Sequence, residues 1–98
     1  MTREEVMAMT DEQLRFKASE LMGITDGAIP DYPNDIAAAW ALAEREGISV
    51  ISVEKEWWAG KFDGSNGDWW FGLGPIENES AARAITQTFI IVIDTKSI

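Results

Sequence analysis

The stretch WWAGKFDGSNGDWW, residues 57–70, carries the side chains best suited to bind a ligand. It holds four of the five tryptophans of the chain. Aromatic rings can stack on bases or sugars, and one stacked base contributes roughly 1–3 kcal/mol. We therefore take Trp57, Trp70 and Lys61 as candidate binding residues, together with Tyr32 from an earlier connection.

Catalytic side chains are scarce. The chain has no histidine and no cysteine, which excludes histidine bases, thiol nucleophiles and the ordinary structural zinc sites. Carboxylate pairs such as Glu54 with Glu56 occur, but 17 acids in 98 residues produce such pairs by chance. The segment DGSNGD resembles a calcium loop, yet its twelfth position is Gly74 instead of a bidentate glutamate. We expect no enzyme activity, no metal and no cofactor.

The net charge of the chain limits the classes of partner that it is expected to bind. A net charge of −9 repels phosphate backbones, so we expect no direct binding to nucleic acid or to an anionic membrane. The longest apolar run, FIIVI at residues 89–93, is far shorter than the roughly 20 residues that span a bilayer. No secretory signal is visible and cysteine is absent, which favours a cytoplasmic location. The scattered acids indicate a solvated surface; the alternative is an acidic mimic of DNA, with its carboxylates on one face.

The length of 98 residues fits one domain, 1–98, and its first part reads as helical. Two capping boxes, TREE and TDEQ, predict a short helical turn at 3–8 and a helix at 11–22. Asn34 is a good N-cap for a further helix at about 35–46. Ile36, Trp40 and Ala43 are expected to line one face of that helix.

A strand region follows. The β-branched run ISVISV begins it, and Asn66-Gly67 is a strong hairpin signal. A four-residue loop would pair Phe62 with Trp69, whereas a two-residue turn would pair Phe62 with Phe71. An unbroken strand would bury acids with the core, so we expect a bulge or break near 54–56.

Alternation along the strands sends one ring of each Trp pair to each face of the sheet. We expect the first face to be core, with the side chains Trp58, Phe62, Trp69 and Phe71. Trp57 and Trp70 lie on the second face beside small residues, which suits either a covering helix or a ligand. If a third helix packs there through Ile85 and Phe89, these rings are ordinary core; otherwise they are an exposed anchor, and we expect partial exposure of at least one ring.

That third helix is expected at 79–92, with Asn78 as its cap. The competing reading makes TQTFIIVI a strand, because β-branched residues dominate it. The alanine-rich start without an intervening turn signal favours the helix.

The succession of three stretches resembles a family of phage-encoded proteins, the phage αβα-sandwich domain related to the NinX proteins of lambdoid phages. The stretches are MTDEQLRFKASELMGI, then DYPNDIAAAWALAEREGISV, then the Trp-rich hairpin followed by ENESAARAIT. The resemblance implies a phage or prophage protein of the host cytoplasm, with helices packed on an antiparallel sheet. It also implies a helix over 79–92, and it carries no biochemical activity with it.

We predict an α+β fold, sandwich-like, in which helices pack on a small antiparallel β-sheet (a hairpin) in the order α-α-β-β-α. The leading functional hypothesis is a non-enzymatic phage or prophage accessory protein that binds a host or phage protein. The alternative is a small-ligand or sugar-binding module that uses the Trp-rich hairpin, and a less favoured one is an acidic DNA-mimic inhibitor. Assembly into a homo-oligomer is left open.

Overall fold

The fold is known from a computed structural model that describes residues 2–24, 27–63, 68–69 and 75–96. It combines helices with a three-stranded antiparallel sheet in the order β1-β2-β5, and β3 pairs separately with β4. The α+β class and the predicted element order are thereby confirmed. In chain order the elements are α1 (Arg3–Met7), α2 (Asp11–Met22), α3 (Ile36–Glu46), β1 (Ser49–Val53), β2 (Glu56–Gly60), β3 (Phe62–Asp63), β4 (Asp68–Trp69), β5 (Ile76–Asn78) and α4 (Ala81–Lys96).

Helix α4 is the centre of the core. Residues 84–90 are all buried, so this part of the helix is covered on all sides. The strands β2 and β5 cover one side, and α1, α2 and α3 pack on the others. The helical reading of FIIVI is thus confirmed. Among the described side chains of α4, nine are buried: Ala82, Ala84, Ile85, Thr86, Gln87, Thr88, Phe89, Ile90 and Val92.

Polar groups inside α4 are satisfied by hydrogen bonds, as burial requires. The hydroxyl of Thr88 lies 2.8 Å from the carbonyl oxygen of Ala84 and 3.1 Å from that of Ala59, so it links α4 to β2. The side-chain oxygen of Gln87 accepts from the Asn78 amide at 3.4 Å, which links α4 to β5. These contacts fix how α4 sits on the sheet.

The two capping boxes are formed as predicted. The Thr10 hydroxyl accepts from the Gln13 N–H at 3.2 Å, and the Gln13 side chain accepts from the Thr10 N–H at 2.8 Å. Helix α2 then ends at Gly23, whose φ of 78° is left-handed. At α1 the same arrangement joins Thr2 and Glu5, and the hydrogen bonds from Thr2 lower the pKa of the Glu5 carboxyl.

Two predicted caps are wrong. The cap of α3 is Asp35, whose carboxylate accepts from the Ala37 N–H at 3.0 Å, while Asn34 donates to Asp31 instead. Asp35 prevails because its charge also complements the positive end of the helix. At α4, Ser80 caps the helix by accepting from the N–H of the third helical residue, and Asn78 belongs to β5, a strand that the sequence analysis missed.

The predicted apolar face of α3 is correct for Ala43 but wrong for Ile36 and Trp40. Ile36 and Trp40 are 52% and 50% exposed, and the buried residues are Ala39, Leu42 and Ala43. The buried residues of α4 need close neighbours, and a face of alanines with one leucine lets α3 approach more closely than a tryptophan would. The larger side chains are left outside.

Phe89 offers the sharpest test of this architecture. Its side chain is fully buried between the sheet and the helices, so we expect Phe89→Ala to lower the free energy of unfolding by about 3–5 kcal/mol. Phe16→Ala is the matched control, because Phe16 on α2 is 49% exposed; we expect a change within about 0.5 kcal/mol. Urea denaturation measures both, and equal losses would contradict a central α4.

Candidate functional site

The distal half of the β1–β2 hairpin projects beyond the core, and we call residues 51–58 the hairpin tip. The register pairs Ile51 with Trp58 and Val53 with Glu56, leaving a two-residue turn at Glu54 and Lys55. This turn is the break expected near 54–56. From residue 51 to residue 57 every side chain is exposed except that of Val53, which is half-buried.

The tip projects because α4 covers only the proximal part of the sheet. Ala59 on β2 and its partner Ile76 on β5 are buried beneath α4, at 0% and 3% exposure. Trp57 lies one alternation further along the same face and is 38% exposed. The expected partial exposure of a tryptophan on this face is confirmed for Trp57. The sheet and α4 therefore hold the base of the hairpin and leave its tip in solvent.

Two rows of side chains cross the tip, one on each face. On the face shared with α4, Trp57 stands between Ser52 on β1 and Asn78 on β5. On the opposite face, Trp58 stands between Ile51 on β1 and Glu77 on β5. Each row thus places a tryptophan beside an exposed residue of β1.

The face opposite α4 has an apolar strip. Ile51 is 45% exposed, and Val53 and Trp58 beside it are half-buried. The Nε1 atom of Trp58 is buried and has no hydrogen-bond partner among the described residues. A shallow cleft of about 790 Å³ opens at the turn and is lined by Val53, Glu54, Lys55, Glu56 and Trp58. An apolar floor with a charged rim suits an apolar side chain that is flanked by cations.

The assignment of faces in the sequence analysis is wrong for Trp58. We expected the Trp58 face to be core, but α4 packs on the Trp57 face through Ala59 and Ile76. The small side chain of Ala59 admits the helix, whereas a tryptophan at that place would hold it away. The side chains of Phe62 and Trp69 and the whole of Phe71 lie outside the described parts of the molecule. The backbone pairing of Phe62 with Trp69 confirms the register of a four-residue loop.

The four candidate binding residues occupy different environments. Trp57 belongs to the hairpin tip, while Tyr32 is 3% exposed and is part of the hydrophobic core. Lys61 is half-buried just after β2, and Trp70 lies outside the described residues. The structure thus places Ile51 and Val53 with Trp57 in the candidate site, whereas Tyr32 belongs to the hydrophobic core. The uncharged run SVISV before an acidic turn was the signal for the tip.

The described residues contain no group of three acidic, histidine or cysteine side chains that could together hold a metal ion. Within the same parts of the chain, no helix has the length and apolar character to cross a membrane. Comparisons with known protein families, with curated proteins and with solved structures find no match.

Tyr32 gives a spectroscopic test of its position, because it is the only tyrosine of the chain. Burial disfavours the phenolate and raises the pKa of Tyr32 above 10.0. The unfolded chain then ionises first as the pH rises, so folding stability is retained below pH 10 and falls above it. Titration of the phenolate absorbance should give a higher midpoint in buffer than in urea; coincident midpoints would show an exposed Tyr32.

Proposed function

We propose that this chain is a non-enzymatic phage or prophage accessory protein of the host cytoplasm that acts by binding a host or phage protein through the hairpin tip. One observation carries the proposal: Ile51 and Trp57 are exposed on a hairpin whose base is anchored in the core. The resemblance to phage αβα-sandwich proteins supports the phage assignment.

Exposure of these side chains has a cost that a partner removes. An exposed isoleucine or tryptophan gains roughly 25 cal/mol for each Å² of apolar surface that leaves water. Tryptophan is enriched among the few interface residues that dominate binding energies. The tip presents Trp57 on one face and Ile51 with Trp58 on the other, so a partner can enclose it from both sides.

The anchored base also favours binding. A β-hairpin alone is marginally stable in water, and a partner would have to order it on binding. Here the third strand β5 and helix α4 hold β2 from its other edge and from one face. Folding of the chain therefore already orders part of the tip. Less of the favourable contact energy is then lost to ordering when a partner binds, which increases the affinity.

The charge of the chain selects among partners. A net charge of −9 raises the rate of encounter with basic surfaces and opposes acidic ones. Glu54 and Glu56 at the turn bring part of this charge to the tip itself, with Lys55 between them. A partner with an apolar pocket and basic surroundings is therefore favoured.

The small-ligand alternative keeps one supporting feature. Trp57 has the small side chain of Ser52 beside it, so part of its ring is open for stacking. The burial of Tyr32 removes one of the rings that such a site would use. A sugar or similar ligand would quench Trp57 fluorescence without a protein partner, and this distinguishes the two functions.

Site-specific crosslinking tests the proposal. We replace Lys55 at the turn with a photoreactive benzoylphenylalanine and irradiate bacteria that carry the corresponding phage or prophage. The matched control places the same group at Glu12, an exposed position on α2. We expect one predominant protein adduct from position 55 and none of that mass from position 12.

Two further variants locate the contact. Trp57→Ala should remove the adduct, because loss of an interface hot spot costs about 2 kcal/mol or more. Trp40→Ala alters a tryptophan of similar exposure on α3 and should leave the adduct unchanged. Adducts that depend on Trp40 and not on Trp57, or no specific adduct at all, would refute binding through the tip.

A further inference from the structure

Strand β1 forms an edge of the sheet. It pairs with β2 on one side only, and α4 packs mainly on β2 and β5, while Val50 of β1 packs against the edge of the core. No backbone hydrogen bond reaches its outer side from any residue in the described ranges. A row of unpaired N–H and C=O groups on such an edge is a template for an additional strand.

The register identifies the outward groups. A two-residue turn is closed by a hydrogen-bonded pair, here Val53 with Glu56, and such pairs recur at every second residue along the ladder. Ile51 and Ser49 therefore direct their N–H and C=O groups to β2. Val50 and Ser52 direct theirs away from β2, toward the free side.

The edge lacks the usual protection. Natural edge strands carry charged residues, proline or bulges that discourage pairing, and SVISV has none of these within its pairing to β2. The other edge differs, because β5 is only three residues long and Glu77 lies at its centre. Arg3 also donates to the carbonyl oxygen of Pro75 next to β5, at 2.7 Å. Strand β1 is thus the receptive edge.

We propose that the outer edge of β1 binds an extended peptide segment of the partner protein as an added strand, with an apolar residue opposite Ile51 and lysine or arginine at both ends. The inference rests on the proposed function and specifies its site and the chemistry of its partner. The apolar residue lies beside Ile51 and extends the row formed by Ile51 and Trp58 on the face opposite α4. Main-chain hydrogen bonds to Val50 and Ser52 hold the strand, as in other strand additions.

The charges around β1 select basic ends for the added strand. At one end, Glu54 and Glu56 outnumber Lys55, and all three are exposed. At the other end, Glu44 in the last turn of α3 is exposed, whereas Glu46 forms an ion pair with Arg45. Exposed carboxylates therefore lie near both ends of this uncharged strand, and cations on the added strand complement them.

The same charges disfavour a second copy of this chain. Full antiparallel overlap of two β1 strands pairs Val50 of one copy with Ser52 of the other, around Ile51 as centre. That register brings the acidic turn of each copy toward the acidic end of α3 in the other copy. Two chains of net charge −9 also repel each other, so a basic segment of a different protein is the better occupant.

Fluorescence anisotropy with a designed probe tests the proposal. The probe is the labelled peptide Lys-Lys-Thr-Val-Thr-Lys-Lys, and the control peptide has glutamate in place of every lysine. We expect the lysine peptide to bind and its affinity to fall with added salt, and we expect no binding of the glutamate peptide. N-methylation of the probe backbone on its pairing side should abolish binding without any change in the protein.

A protein variant tests the edge directly. Ser52→Pro removes the outward N–H of Ser52 and leaves the pairing with β2 intact, whereas Ser52→Thr retains that N–H. We expect Ser52→Pro to weaken binding of the lysine peptide about tenfold or more and Ser52→Thr to leave it unchanged. Circular dichroism checks that both variants are folded.

The opposing results are distinct. Equal binding by wild type and a folded Ser52→Pro variant, equal binding of the N-methylated probe, or equal binding of the glutamate peptide overturns the proposal. Sedimentation that shows dimers of the wild type and monomers of Ser52→Pro also overturns it, since a second copy would occupy the edge. If the crosslink at position 55 survives in Ser52→Pro, the edge is wrong and binding through the tip stands; if no crosslink forms at all, the proposed function itself fails.

Discussion

The structure depends on the need to cover helix α4 on every side. A run in which residues 84–90 are all buried leaves no face of the helix for water, so the rest of the chain must surround it. Helices α1, α2 and α3 and one face of a three-stranded sheet provide that cover. Each large aliphatic or aromatic side chain buried in this way contributes about 1.5–3 kcal/mol. The remaining surface of the sheet has no further element among the described residues to cover it.

Attachment of α4 near its start and at its middle determines which part of the sheet it covers. Near its start, Arg83 donates to the carbonyl oxygen of Met9 at 2.8 Å and forms an ion pair with Asp11, which fixes α4 against α2. Five residues later, the Thr88 hydroxyl donates to the carbonyl oxygen of Ala59, near the end of β2 that lies at the base of the hairpin. Because these two contacts set the position of the helix, the residues of the hairpin beyond Trp57 extend past it. The exposed tip follows from how the core is anchored.

The local elements were predictable from the sequence, and their packing was less so. Capping boxes and αL glycines act over a few residues, so Asp11–Met22 was found with its correct bounds. The face of the sheet that α4 covers depends on a contact between residues 29 positions apart, from Thr88 to Ala59. The buried faces of α3 and of the sheet were assigned wrongly because we took large aromatic residues as core. Close packing of the helices instead favours alanine on both α3 and β2. The tip was signalled only by an uncharged β-branched strand before an acidic turn.

An acidic chain with one uncharged strand at the edge of its sheet combines two opposing requirements. Acidic side chains keep the surface hydrated and repel other copies, and they make association with basic partners faster. A charge within β1 would protect the edge further, but it would also block any strand that pairs there. Since exposed acids lie at the turn and at the end of α3 while β1 itself has none, repulsion at the flanks can replace protection within the strand. A strand with basic flanks meets attraction at the same positions where a copy of this chain meets repulsion, so one arrangement of charges both admits the partner and excludes self-association.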